Sequence, residues 1–153
     1  MEKDKLYSRN ALYIDSIEQE EIKKCRIVIA GAGLGGNIAE CALRLGFENI
    51  LIVDGDRVEQ SNLNRQNYLF PDIGKYKAEV IYQRLKDINP GANIQYETVF
   101  IDENNLHKYI INKDIAINTM DFTSQTPFLF DDCCVKKQVP VLRVGWFCLC
   151  CQR

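Results

Sequence analysis

A doubly wound α/β fold, with a mainly parallel sheet between helices on both faces, is predicted by three observations. Short apolar, β-branched runs recur along the chain. They alternate with stretches whose apolar residues are spaced for helices. A glycine-rich turn, Gly31-Ala32-Gly33-Leu34-Gly35-Gly36, joins the first such run to the first such helix. Strands separated by helices demand right-handed crossovers, and these give parallel strands covered on both sides. With 153 residues, 46% of them hydrophobic, the chain has the size and apolar content of a single domain.

Residues 1–24 are expected to form an N-terminal arm and helix. Arg26-Ile27-Val28-Ile29-Ala30 has the composition of a strand buried on both faces. A tight turn must follow it. Gly31 allows the turn, Gly33 would let the backbone approach a phosphate, and Gly36 would let the next helix pack hard against the strand. That helix, over about 34–45, aims its free N–H groups and positive dipole end at an anion, with Asn37 in its first turn within reach of a phosphate. Asn49-Ile50-Leu51-Ile52-Val53-Asp54 is a second buried strand. It ends in a carboxylate about 20 residues beyond the turn, where a ribose hydroxyl needs an acceptor. The plainer alternative for Asp54 is a helix cap or loop carboxylate.

The segment 57–70 is polar and aperiodic, a loop with a short helical turn, and long enough to have a function. Over 74–89 the residues Ala78, Val80, Ile81, Leu85 and Ile88 recur at helical spacing, and Asn89-Pro90-Gly91 stops the helix. The alternating stretch 94–100 predicts a strand nearer the sheet edge. A short helix over 103–111, a strand over 114–119 running on to Asp121, a helix over 124–136 and a strand over 140–145 complete the alternation. Gly31, Asp54 and Asp121 all fall at carboxyl ends of strands, where such a sheet has its ligand crevice. The result is a Rossmann-like arrangement. The aromatic, cysteine-rich ending 146–153 leaves the last strand with nothing to pack against, so further sequence is expected beyond it.

Composition excludes several classes. Nineteen Lys and Arg against 21 Asp and Glu give no basic field for nucleic acid. No apolar run has the length of a membrane span, and the N-terminus lacks a signal-peptide core, so a cytoplasmic protein is expected. The seven cysteines lack regular spacing and read as reduced thiols, with Cys25 and Cys41 on faces expected to be buried. Cys148 and Cys151 make one CxxC, but a four-sulfur zinc site needs a second pair, and adjacent Cys133-Cys134 cannot supply it. Zinc is therefore not expected within this chain. The lone His107 offers no cluster for metal or a hydrolase triad and is placed on an exposed helix face.

Several segments together resemble the ThiF/MoeB/HesA family, which is similar to the adenylation domain of ubiquitin-activating enzymes. They are Tyr7-Ser8-Arg9-Asn10, the glycine turn, Asp54-Gly55-Asp56, Ser61-Asn62-Leu63-Asn64-Arg65-Gln66, Gly74-Lys75-Tyr76-Lys77, Asn89-Pro90 and Thr119-Met120-Asp121. The resemblance covers nearly the whole chain, taken as one ATP-binding adenylation domain over 1–153. It implies ATP with Mg2+ as cofactors, and adenylation of a carboxylate with release of pyrophosphate. The implied partner is a ubiquitin-like sulfur-carrier protein or a peptide.

The resemblance also implies roles for individual residues. Gly31, Gly33, Gly36, Asp54, Asp56, Asn62, Arg65 and Lys77 would bind the nucleotide, with Asp54 on the ribose hydroxyls and Asn62 and Arg65 on the phosphates. Lys77 would neutralise charge at the α-phosphate. Asp121 would carry magnesium. Arg9 would reach into the site of a neighbouring subunit in a homodimer, so that Arg9, Arg65, Lys77 and Asp121 form the catalytic set. An ionised carboxylate is already a nucleophile, so the barrier lies in bringing it to a polyphosphate of like charge, and cations lower that barrier.

The plainer alternatives are a solvated surface charge for Arg9, exposed helix positions for Arg65 and Lys77, and a helix cap for Asp121. Phe122 and Thr126 depart from the family pattern, which usually has a small polar residue and an arginine there. No catalytic cysteine is assigned. Three other functions compete: an NAD-binding oxidoreductase, for which Arg65 and Lys77 have no role; a truncated, non-catalytic nucleotide-binding module; and activation of a tRNA-borne carboxylate, which the missing basic patch disfavours.

Overall fold

The computed structural model describes residues 6–144. The ending 146–153, with its CxxC pair, lies outside the described residues, as does Gly145, the expected end of the last strand. Five strands form one parallel sheet: β1 (Arg26–Ala30), β2 (Asn49–Val53), β3 (Asn93–Glu97), β4 (Ile115–Asn118) and β5 (Val141–Arg143). Their order across the sheet is β3-β2-β1-β4-β5. The chain builds outward from β1 on one side, then returns to lay β4 on the other. That reversal opens a crevice at the carboxyl ends of β1 and β4.

Alternation along each strand decides which helix covers which face. Ile27, Ile29, Ile50, Ile52, Ile94 and Ile117 point to one side, where they pack with Ala39 and Leu43 of α2 (Gly33–Leu45) and Ala78, Ile81 and Leu85 of α3 (Lys77–Ile88). Val28, Ala30, Leu51, Val53 and Ala116 point to the other. There they meet Leu106, Tyr109 and Ile110 of α4 (Leu106–Ile110) and Phe130, Cys133 and Cys134 of α5 (Thr126–Lys136). The helices thus lie on both faces, as expected.

Ahead of β1, a 3-10 turn (Ser8–Leu12) leads into α1 (Ser16–Lys24), which Asp15 caps by accepting hydrogen bonds from the N–H groups of Ile17 and Glu18, both at 2.8 Å. Asn10 ties this arm to the domain by donating to the Leu45 carbonyl at 2.9 Å.

Three boundaries differ by three residues from those predicted. β3 ends at Glu97 rather than at residue 100, because the chain turns there so that the Phe100 ring covers Gly55, where a Cβ would lie 2.7 Å from it. α3 starts at Lys77, because Tyr76 is held in a bridge to Arg57. α4 is only five residues long. Cys41, expected on a buried face, is exposed on the outer side of α2, and Cys25 is only partly buried. His107 is exposed as expected, with its Nδ1 3.0 Å from the Cys133 sulfur.

Phe130 is fully buried between α5 and the sheet. Its truncation removes a large apolar side chain and leaves a cavity. The Phe130→Ala variant should lose about 3–5 kcal/mol of stability, read as a lowered urea midpoint with an unchanged slope.

Candidate functional site

The crevice is built around the glycine turn. Gly31 has φ +94°, a conformation that favours glycine, and a Cβ there would lie 2.9 Å from the carbonyl and hydroxyl oxygens of Thr119. Thr119 follows β4, and its hydroxyl lies 3.0 Å from the Ala30 carbonyl and 2.8 Å from the Gly31 carbonyl. The two central strands are therefore clamped together at the point where the crevice opens.

Gly35 and Gly36 divide the packing duty differently from what the motif suggests. Tight helix-to-strand packing belongs to Gly35, where a Cβ would fall 2.7 Å from Ile29 Cγ2. Gly36 instead admits Ile81 of α3, at 2.7 Å from a hypothetical Cβ. At Gly33 the space a Cβ would take borders the Gln66 carboxamide, 3.0 Å away. Each difference has one cause: the motif fixes where glycines stand, while the neighbour that needs the room comes from elsewhere in the chain.

Asp54 sits just past β2 and joins two turns. Its Oδ2 accepts from the Ala32 N–H at 2.5 Å and its Oδ1 from the Asp56 N–H at 2.7 Å. Burial pushes its carboxyl above the ordinary carboxylate range, against the pull of these two N–H groups. Lys77 is nine-tenths buried, and its ammonium donates to Asp56 Oδ2 at 2.9 Å. As the first residue of α3 it faces the positive end of the helix dipole, so its position is unfavourable without an anion. Asp56 supplies one. The exposed-helix alternative for Lys77 does not hold.

Asn62 is buried in a 3-10 turn (Gln60–Asn62), where its carboxamide oxygen accepts from the Glu59 N–H at 2.9 Å. Arg65 is exposed in the loop that follows, not on a helix, and its guanidinium donates back to the Ser61 carbonyl at 2.8 Å. This loop faces the first turns of α2 across a cleft of about 500 Å³ lined by Asn37, Cys41, Arg65 and Gln66. Two buried acceptors, Asn37 Oδ1 and Gln66 Oε1, have no hydrogen-bond donor among the described residues. Asp121 is exposed two residues past Thr119 at the carboxyl end of β4.

The structure thus brings together the glycine turn, Asp54, Asp56 and Lys77, with Asn62, Arg65 and Asp121 on adjoining segments. Arg9 is not among them. Its turn is anchored at Leu45, the far end of α2 from the glycines, and 13 helical residues span about 20 Å. Among the described residues no three His, Cys, Asp or Glu side chains come together. No helix among them is long and apolar enough to cross a membrane.

Two contributors escaped the sequence. Tyr68, buried, donates to the Ala32 carbonyl at 2.7 Å and fixes the turn from the α3 side. Thr119 acts as the clamp described above. Tyr68 lies two residues past the loop motif and Thr119 two residues before Asp121, yet no spacing rule points to either.

Comparison with known proteins agrees with this architecture. The ThiF family pattern matches residues 7–152. The chain is 34% identical over 142 residues to the sulfur carrier protein ThiS adenylyltransferase of Bacillus subtilis, covering 89% of this chain and 42% of that protein. It is 30% identical over 139 residues to the tRNA threonylcarbamoyladenosine dehydratase of the same organism, covering 89% and 54%. The crystal structure of Escherichia coli MccB with ATP superimposes with a TM-score of 0.84 at 27% identity, covering 94% of this chain and 45% of that one. The chain spans about half, or less, of the length of these curated relatives. The match across nearly all of its own length shows that this chain belongs to the ThiF family.

Proposed function

We propose that this chain is the ATP-binding part of an adenylyltransferase that activates a carboxylate as an acyl-adenylate and releases pyrophosphate. The observation that carries this reading is the buried Lys77, paired with the half-exposed Asp56 carboxylate beside Asp54 at the end of the glycine turn. A dinucleotide-dependent oxidoreductase has no use for a buried lysine there. MccB, a structural neighbour, has been solved with ATP. The residues also fit a nucleotide: Asp54 has a partly buried carboxylate for ribose hydroxyls, and Asn37 Oδ1 and Gln66 Oε1 are acceptors without donors among the described residues.

Each residue then has a physical task. Asp54 orients the ribose, and the free N–H groups at the start of α2 face the phosphates. Lys77, held in place by Asp56, puts a fixed positive charge where negative charge grows as the carboxylate attacks, while Asn62 and Arg65 hold the phosphate chain from the facing loop. Asp121 supplies one carboxylate for Mg2+, which needs few protein ligands when phosphates and water complete its shell. Bound there, the ion screens phosphate charge. Arg9 lies too far from its own chain's site, so it serves the site of a second subunit in a homodimer. The substrate is the carboxylate of a sulfur-carrier protein or peptide, and the setting is the cytoplasm. A carboxylate on tRNA is the second reading, favoured by the likeness to the Bacillus subtilis dehydratase.

Asp54→Ala should leave the fold intact and lower ATP affinity by about tenfold to a hundredfold in calorimetry. Lys77→Ala should slow ATP–pyrophosphate exchange in the full-length protein by about a hundredfold or more while weakening ATP binding far less. Equal losses in both would mean that Lys77 binds the ground state instead. Mixed Arg9→Ala and Lys77→Ala subunits should regain activity, because one site per heterodimer keeps both groups. A mixture that exchanges subunits yet stays inactive would overturn the trans assignment.

A further inference from the structure

At the opposite end of the sheet, the N-terminal ends of β1, β2 and β3 leave a second cavity of about 330 Å³. Its origin lies in the length of α4. Five helical residues span about 7.5 Å, less than half of a five-residue strand. Lys108 and Tyr109 tie α4 to Glu97 at the carboxyl end of β3, both at 2.8 Å, so the helix covers only that half of the face. Below it, Arg26, Asn49 and Asn93 stand in register across three strands, with Leu51 and Gln95 in the next row on the same face. An interior face of a parallel sheet is normally apolar, and here its lower half is amide and guanidinium.

The side chains around this cavity carry an uncompensated positive charge. Asp114 is the acidic partner of Arg26, receiving its Nε and Nη2 and its backbone N–H, each at 2.8 Å, which holds the Asp114 carboxyl down to about 2. That pairing uses up the carboxylate and leaves Arg26 Nη1 over. Lys113, half-buried on the turn into β4, lines the cavity beside Arg26. No acceptor among the described residues hydrogen-bonds its ammonium, and burial together with the Arg26 charge pushes its pKa down. Gln95 and Asn112 add amides with no partner among the described residues. Two cations against one fully engaged carboxylate, in a polar recess larger than a bare ion, describe a receptor for an oxyanion.

We propose that this cavity binds a small phosphate-bearing ligand, its phosphoryl oxygens on Lys113 and Arg26 and the rest of the molecule against Gln95, Asn93 and Asn112. The site lies at the other end of the strands from the glycine turn and is independent of the adenylyltransferase reading.

The test is a titration of the isotope-labelled chain by NMR with inorganic phosphate, ribose 5-phosphate, and ribose as the neutral control. Both phosphate-bearing probes should shift the amides of residues 93–95 and 112–114 in a saturable manner, and ribose should not. Tighter binding of ribose 5-phosphate assigns the site to an organic phosphate, and equal affinities assign it to free phosphate. Lys113→Met should weaken the response about tenfold or more, and Gln95→Leu should weaken that of ribose 5-phosphate, with the shifts at residues 31–36 unchanged in both. Shifts confined to residues 31–36, an equal response to ribose, or unchanged affinity in Lys113→Met would overturn the proposal.

Discussion

The crevice depends on one carboxylate. Asp54 accepts hydrogen bonds from Ala32 in the glycine turn and from Asp56 in the turn that follows β2, so a single side chain fixes the two segments against each other. The cost is desolvation, visible in the upward push on its pKa, and the two N–H groups offset part of it. Everything that meets there inherits this geometry. Asp56 is aimed at Lys77, Lys77 is held at the start of α3 against the helix dipole, and the Lys77 N–H closes the arrangement on the Asp56 carbonyl at 2.9 Å.

Parallel topology explains why the groups converge. Because β4 returns to the far side of β1, Thr119 lands on Gly31 and Asp121 follows within two residues. The same topology leaves the opposite ends of the strands to be closed by whatever the crossovers provide, and the short α4 does not cover them. One sheet thus has two polar ends of different origin. At the carboxyl ends the polarity comes from turns. At the amino ends it comes from residues of the strands themselves, Arg26, Asn49 and Asn93.

Much of this was legible in the sequence, for identifiable reasons. β1, β2 and β4 stand out because strands buried on both faces are unbroken apolar runs. The positions of Gly31 and Asp54 follow from the demands of a turn and a strand end. The roles of Gly35 and Gly36 were not legible, since each depends on Ile29 or Ile81 arriving from another element. The burial of Lys77 was hidden for the same reason: a helical pattern shows which face is apolar, but not that a loop carboxylate will pull a first-turn lysine inside. The polar row at the amino ends is set by strand register, which no local pattern reveals.

The measurement that bears most directly on this account is calorimetric titration of the chain with ATP and magnesium, repeated in the presence of excess NAD. Both nucleotides have a use for the glycine turn and Asp54, but only the chemistry of ATP gives the buried Lys77 a task beyond its pairing with Asp56. The account predicts saturable ATP binding that NAD does not displace. Binding of NAD in preference to ATP would contradict it.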